Sequence, residues 1–119
     1  METAEIVAYE PDLLFSSGIE AASAKAGLHA IITSDLEELI WELKQATPRV
    51  VFLNLDAAEG KLAALEAFAK NGVCKFVGYY SHVNTPLAEE ARRIGIDSIL
   101  SRGAFVARLD GILKGLGSG

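Results

Sequence analysis

Cysteine occurs once, at Cys74. No internal disulfide can form, and no Cys-x-x-Cys pair exists to hold zinc or exchange thiols. A lone cysteine just before an apolar strand has core packing as its default role, and it fits a reducing compartment, so a cytoplasmic location is expected. Long apolar runs are also missing: nothing approaches the roughly 18 residues of a membrane span. The opening METAEIV lacks the basic segment and apolar stretch of a secretory signal, so neither membrane nor export is expected. Positive charge is scarce, with 11 Lys and Arg against 16 Asp and Glu, which argues against nucleic acid. The tightest basic pair, Arg92-Arg93, is flanked by Glu89 and Glu90 and reads as a solvated helix face.

Several chemistries are missing their motifs. GxGxxG and GxxxxGK[ST] are absent, and the acids of AYEPDLL would face an incoming phosphate, so no nucleotide or flavin cofactor is expected. There is no G-x-S-x-G elbow. Ser81 and His82 are neighbours at a strand end and point to opposite faces, which disfavours a serine–histidine pair. His29 has no metal-binding companion in its stretch. Trp41 and Tyr79-Tyr80 read as packing rather than as a base-stacking platform.

What is present is a regular alternation. Half the residues are apolar and 23% are charged, as in a globular domain, and 119 residues suit one domain with a real core. EIVAY (5–9) reads as a strand, followed by a helix from about Pro11 whose stripe is Phe15, Ile19, Ala22 and Ala26. HAIIT (29–33) is a second strand; Ser34 and Glu37 have the spacing of a capping box for a helix burying Leu36, Leu39, Ile40 and Leu43. VVFLNL (50–55) lacks polar alternation until Asn54, as a strand covered on both faces would. A helix with Leu62, Leu65, Phe68 and Ala69 inward precedes KFVGYY (75–80). Thr85-Pro86 then opens a helix as cap and first-turn proline, with Leu87, Ala91 and Ile94 buried. DSIL (97–100) is a short fifth strand, and a last helix presents Phe105, Leu109, Ile112, Leu113 and Leu116. Residues 115–119, GLGSG, read as a flexible tail. Five β-α units imply a three-layer α/β domain with a doubly wound parallel sheet spanning residues 1–119.

In such sheets ligands bind beyond the carboxyl ends of the strands. The residues there are Tyr9, Glu10 and Asp12, Thr33 to Asp35, Asn54 to Asp56, Ser81 and His82, and Ser101 to Gly103. Glu10, Asp12 and Asp56 are weak candidates for a divalent cation. Asp12 is more simply a first-turn acid and Asp56 a loop acid near a helix start, so no metal is expected.

The C-terminal third, YYSHVNTPLAEEARRIGIDSILSRGAF, with a hydroxyl after strand 4 and "GIDSILSR" at strand 5, resembles the receiver domains of bacterial response regulators. YEPDLL is similar to their first βα turn, and the likeness covers the whole chain. It implies a flavodoxin-like, CheY-like sheet with strand order 2-1-3-4-5. It also implies a phosphoryl pocket, built from an acceptor aspartate at the end of strand 3, an acidic pair for Mg²⁺, a hydroxyl and a lysine. Here that pocket reads as degenerate. Asn54 stands at the acceptor position, Tyr9 and Glu10 near the acidic pair, Ser81 at the hydroxyl and His82 at a usually small residue. Arg102 replaces the lysine, Gly103 the proline that usually follows it, and Ile99 the usual strand-5 aromatic. Asp56 shares the strand parity of Asn54, yet lies where the backbone should turn away.

The resemblance thus implies a non-phosphorylatable receiver-like domain, not an enzyme, that acts through a protein partner. Its contact face would be helix 4, strand 5 and helix 5, carrying Glu90, Arg93, Ile99, Arg108 and Leu109, with a homodimer through that face possible. The alternative is a small flavodoxin-like ligand-binding domain or enzyme using Glu10, Asn54, Ser81, His82 and Arg102 as a polar pocket.

Overall fold

The computed structural model describes residues 4–117. Strands β1 (Ile6–Tyr9), β2 (Ala30–Thr33), β3 (Val50–Asn54), β4 (Lys75–Tyr80) and β5 (Ser98–Ser101) form one sheet in the order β2-β1-β3-β4-β5. Every pairing is parallel. The helices are α1 (Leu13–Lys25), α2 (Leu36–Gln45), α3 (Glu66–Lys70), α4 (Thr85–Arg93) and α5 (Arg102–Gly117), with a 3-10 turn over Leu62–Leu65 leading into α3. This is the doubly wound α/β architecture, with the strand order that the receiver resemblance implied. No helix among the described residues is long and apolar enough to cross a membrane.

Strand parity divides the core in two. Val7, Tyr9, Val51, Leu53 and Phe76 face α2, α3 and α4, packing on Leu39, Leu65, Leu87 and Ala91. Ile6, Ala8, Val50, Phe52, Val77 and Tyr79 face α1 and α5, packing on Ile19, Phe105, Leu109 and Leu113. Strands buried on both sides have no polar face to alternate with, which is why β1 and β3 read as unbroken apolar runs. Gly78 of β4 passes so close to the fully buried Leu55 that an added Cβ would lie 3.0 Å from its side chain.

Several local expectations shift. Helix α1 begins at Leu13, capped by the Asp12 carboxylate, and its buried residues are Ser16, Ile19 and Ser23; Ala26 is exposed. The α2 cap is Asp35, which accepts from the Glu38 N–H at 2.8 Å, while Ser34 Oγ donates to Glu38 Oε1 at 2.9 Å. The cap thus lies one residue further on than Ser34, and the acid that reaches back is Glu38, not Glu37, accepting from Ser34 rather than from the cap's own N–H. Asn84, not Thr85, caps α4 by accepting from Leu87 N–H at 3.1 Å, because an amide in extended backbone reaches the free first-turn donors. Helix α5 continues through Gly117, so residues 115–117 of the expected flexible tail are helical, and 118–119 lie outside the described residues. Its last turn is held by Arg49 Nη1, which donates to the Leu116 carbonyl at 2.6 Å.

Candidate functional site

The polar residues at the carboxyl edge gather by register and parity. Tyr9 pairs with Leu53, so Glu10 comes next to Asn54; Asn54 in turn pairs with Tyr79. All three have the parity of the α1–α5 face, and there they meet. Asn54 Nδ2 donates to both carboxylate oxygens of Glu10, at 3.1 and 3.0 Å. Tyr79 Oη donates to Glu10 Oε1 at 2.8 Å, and the Asp12 N–H donates to Oε2 at 3.0 Å. Glu10 is 2% exposed. A buried carboxylate is tolerated only with such partners, and here donors fill both oxygens.

The Asn54 amide is fixed at its other end too, since its Oδ1 accepts from the Ala57 N–H at 3.1 Å. This sets the flip without ambiguity: oxygen to the loop donor, nitrogen to the carboxylate. Tyr79 is buried, and desolvation first, then the Glu10 charge, holds its phenol well above the ordinary value. Burial and Glu10 thus favour its neutral form, the form that donates to Glu10.

Arg102 closes the mouth. It is the first residue of α5, an unfavourable place for a cation in the helix dipole. Three contacts offset this: the guanidinium lies 4.0 Å over the Phe15 ring, Nη1 donates to Ser81 Oγ at 3.2 Å, and Nη2 reaches Asp12 Oδ2 at 3.4 Å. Two helix-terminal backbone bonds, from Phe15 first and Leu14, together with Arg102, keep the Asp12 carboxyl below its usual range. Beneath Arg102 the rings continue inward. Phe15 lies 5.2 Å from Tyr79, and Tyr79 stacks on Phe105 at 4.4 Å.

Other sequence-predicted site residues fall outside this cluster. Tyr9 has the opposite parity: it is buried among Leu53 and its neighbours, and its hydroxyl donates to the Ala57 carbonyl at 3.3 Å. Burial, followed by the charges of Asp35 and Glu10, raises its phenol above the ordinary value. Asp56 lies beyond β3 in the following turn, and its Oδ2 accepts from the Ser81 N–H at 2.6 Å, tying the β3 and β4 exits together. His82 is exposed on the loop after β4 and does not close the pocket. No three His, Cys, Asp or Glu side chains among the described residues converge to hold a metal. The reason is visible in the donors: Glu10 is saturated, Asp12 Oδ1 caps α1, and Asp56 faces a backbone N–H.

Two residues of the cluster, Tyr79 and Phe15, read in the sequence as packing residues rather than site residues. The signal for Tyr79 was available: counting parity back along KFVGYY puts its hydroxyl, not that of Tyr80, on the face of Asn54. Surface cavities of about 490, 220 and 160 Å³ lie elsewhere and are not lined by Glu10, Asn54, Ser81 or Arg102.

The predicted contact face also changes. Leu109 is 8% exposed and packs under α5, so it cannot serve a partner. Ile99 is half-buried against the α2–α4 side of the core. Arg93 and Arg108 are exposed, and Arg93 lies 3.9 Å from Glu90 in an exposed pair.

No family profile and no curated protein matches the chain. Among solved structures, the chain is similar to a CheY-like response regulator receiver domain protein from Methanospirillum hungatei, with a TM-score of 0.82 at 11% identity over 98% of this chain and 95% of that one. It is likewise similar to a response regulator from Thermotoga maritima, with a TM-score of 0.78 at 15% identity, over 99% of this chain and all of that one. An orphan response regulator of H. pylori matches at 0.74 and 17%, over 91% of this chain and 94% of that one. The chain therefore has the receiver fold; the chemistry of its pocket rests on its own residues.

Proposed function

We propose that this chain is a receiver-like signalling domain that acts by contact with a protein partner and takes no phosphoryl group. One observation carries the reading: the side chain at the end of β3 is an amide whose nitrogen donates to both oxygens of a buried carboxylate. A carboxylate nucleophile cannot donate there, and an amide cannot attack phosphorus. With Tyr79 beneath, the Glu10 carboxylate that would otherwise call for Mg²⁺ already has hydrogen-bond donors on both oxygens, while Arg102 at the mouth pairs with Asp12. The pocket is a structural knot, and the domain works without catalysis, in the cytoplasm, as a single unit.

The partner surface is the α4–β5–α5 face, carried by Glu90, Arg93, Ile99 and Arg108. Without Leu109 this face has no apolar centre for a homodimer, so its charged side chains suit a different protein. Amide-resolved NMR during addition of Mg²⁺ and then beryllium fluoride, an acyl-phosphate mimic, tests the reading. The expected spectrum is unchanged around Asn54, Asp56, Ser81 and Arg102. Saturating shifts at those amides overturn it.

A further inference from the structure

Trp41, Val73 and Val83 are exposed singly elsewhere, whereas three further exposed apolar side chains lie on α1 and α5. Leu13 and Leu14 open α1 at 81% and 88% exposed, and Val106 on α5 is 55% exposed. Between Leu14 and Val106 lies a groove of about 160 Å³, floored by Phe15, Ile19 and Phe105, with Gly18 on its wall. Contiguous uncovered apolar side chains on a small domain often mark an interaction site. Gly18 sharpens the point. It sits inside α1 at ordinary helical backbone angles, and a Cβ added there would meet nothing within 4 Å. Neither packing nor conformation within the chain asks for glycine, which weakens the helix relative to alanine. Close approach by another backbone would.

We propose that the α1–α5 face pairs with the same face of a second copy of this chain. A two-fold contact requires knob and hole in one patch. Leu14 projects beside a groove that can take one branched aliphatic side chain, so each copy offers both. The charges fit the same symmetry. Farther along, the valley between the helices is lined by Lys25, Lys114 and Asp110, so it carries both signs and Lys25 of one copy can meet Asp110 of the other. The net charge of −5 opposes association in any orientation, so the contact relies on local complementarity and weakens at low salt. Size sets the strength. Helices of 13 and 16 residues, about 20 and 24 Å long, lie side by side, and two such faces bury on the order of 1,000 Å². That is near the lower limit for a specific interface, so a weak, concentration-dependent dimer is expected.

Sedimentation velocity from about 5 μM to 1 mM tests this, with three variants of exposed residues. Leu14→Glu puts a charge into the groove and is expected to weaken the dimer by at least about 30-fold. Gly18→Gln is expected to raise the melting temperature of the dilute monomer while weakening association at least about tenfold, because helix propensity improves as close approach is blocked. Lys44→Gln, at an exposed position of α2 outside both faces, should leave association unchanged. A chain that is monomeric up to 1 mM overturns the second copy as the occupant. So does a dimer that Leu14→Glu spares. Neither result depends on how the polar pocket answers beryllium fluoride, so the two proposals fail separately.

Discussion

Replacing Asn54 by aspartate looks like a repair, and the geometry says it is damage. The exchange turns Nδ2 into an oxygen placed 3.0–3.1 Å from both oxygens of Glu10. It removes donors to a buried charge and sets two anions against each other. At an effective dielectric of about 20, two unit charges about 3 Å apart repel by roughly 5 kcal/mol. Binding one proton between them costs less. At pH 7 that proton is about three units above an ordinary carboxyl value, at about 1.4 kcal/mol per unit, or about 4 kcal/mol. The shared proton restores one hydrogen bond, so about 4 kcal/mol is the expected loss at neutral pH.

The pH dependence follows from linkage. Between about pH 4 and 7 the folded variant binds a proton that the unfolded chain has released, so its stability falls as pH rises. The deficit should be about 4 kcal/mol at pH 7, about 1.5 at pH 5 and close to nothing near pH 4. Urea unfolding of both proteins at each pH measures it, in EDTA because a divalent cation relieves the same charge as a proton. A typical domain of this size, stable by 5–15 kcal/mol, stays folded enough to measure. A deficit below about 1 kcal/mol at pH 7, or one independent of pH, would refute the placement of the Asn54 amide against Glu10.

Tyr79→Phe deletes one donor to the buried carboxylate and should cost about 2 kcal/mol in urea unfolding at pH 7. Because the folded phenol is held above its ordinary value, the wild type gains from it below about pH 10 and loses that stability as pH rises further; the variant should show a shallower alkaline limb. Asp12→Asn tests the opposite sign. The Asp12 carboxyl is depressed in the fold, so its contribution is present above about pH 4 and fades as pH falls through the folded value. Stability followed from pH 6 to pH 2 should decline less in the variant, and identical acid limbs would count against the Asp12 cap and the Arg102 pair.

The sheet and its layers were legible because burial on both faces writes itself into β1, β3 and β4 as unbroken apolar runs, and because Gly and Pro punctuate the helices. Glu10, Asn54, Ser81 and Arg102 were legible as site residues from their position at strand exits. Their partnerships were not. That Asn54 is a donor depends on Glu10 lying across one ladder step, and this needs the register of two strand pairs together. Tyr9 looked equivalent to Glu10 as a strand-end residue, yet one step of parity sends it to the other side of the sheet. Leu109 was misplaced for a different reason. Its own stripe with Phe105 and Leu113 already put it inward, and only the contact face implied by the resemblance put it outward.

Arg102 shows what such a change of residue means physically. The resemblance puts a lysine here, a mobile point charge on a flexible stem. The arginine is used as a plate, with its face on Phe15 and two edges on Ser81 and Asp12. A lysine can approach one of these groups at a time, and at the first residue of α5 it also meets the unfavourable end of the helix dipole. Arg102→Lys should therefore behave more like Arg102→Ala than like the wild type. The stacking is worth about 0.5–1 kcal/mol, and the exposed ion pair adds at most about as much. Both variants should then lose about 1–2 kcal/mol in urea unfolding, the lysine recovering less than half. If Arg102→Lys matches the wild type within about 0.3 kcal/mol, the position needs only a positive charge, and the case for a closed pocket rests on Asn54 alone.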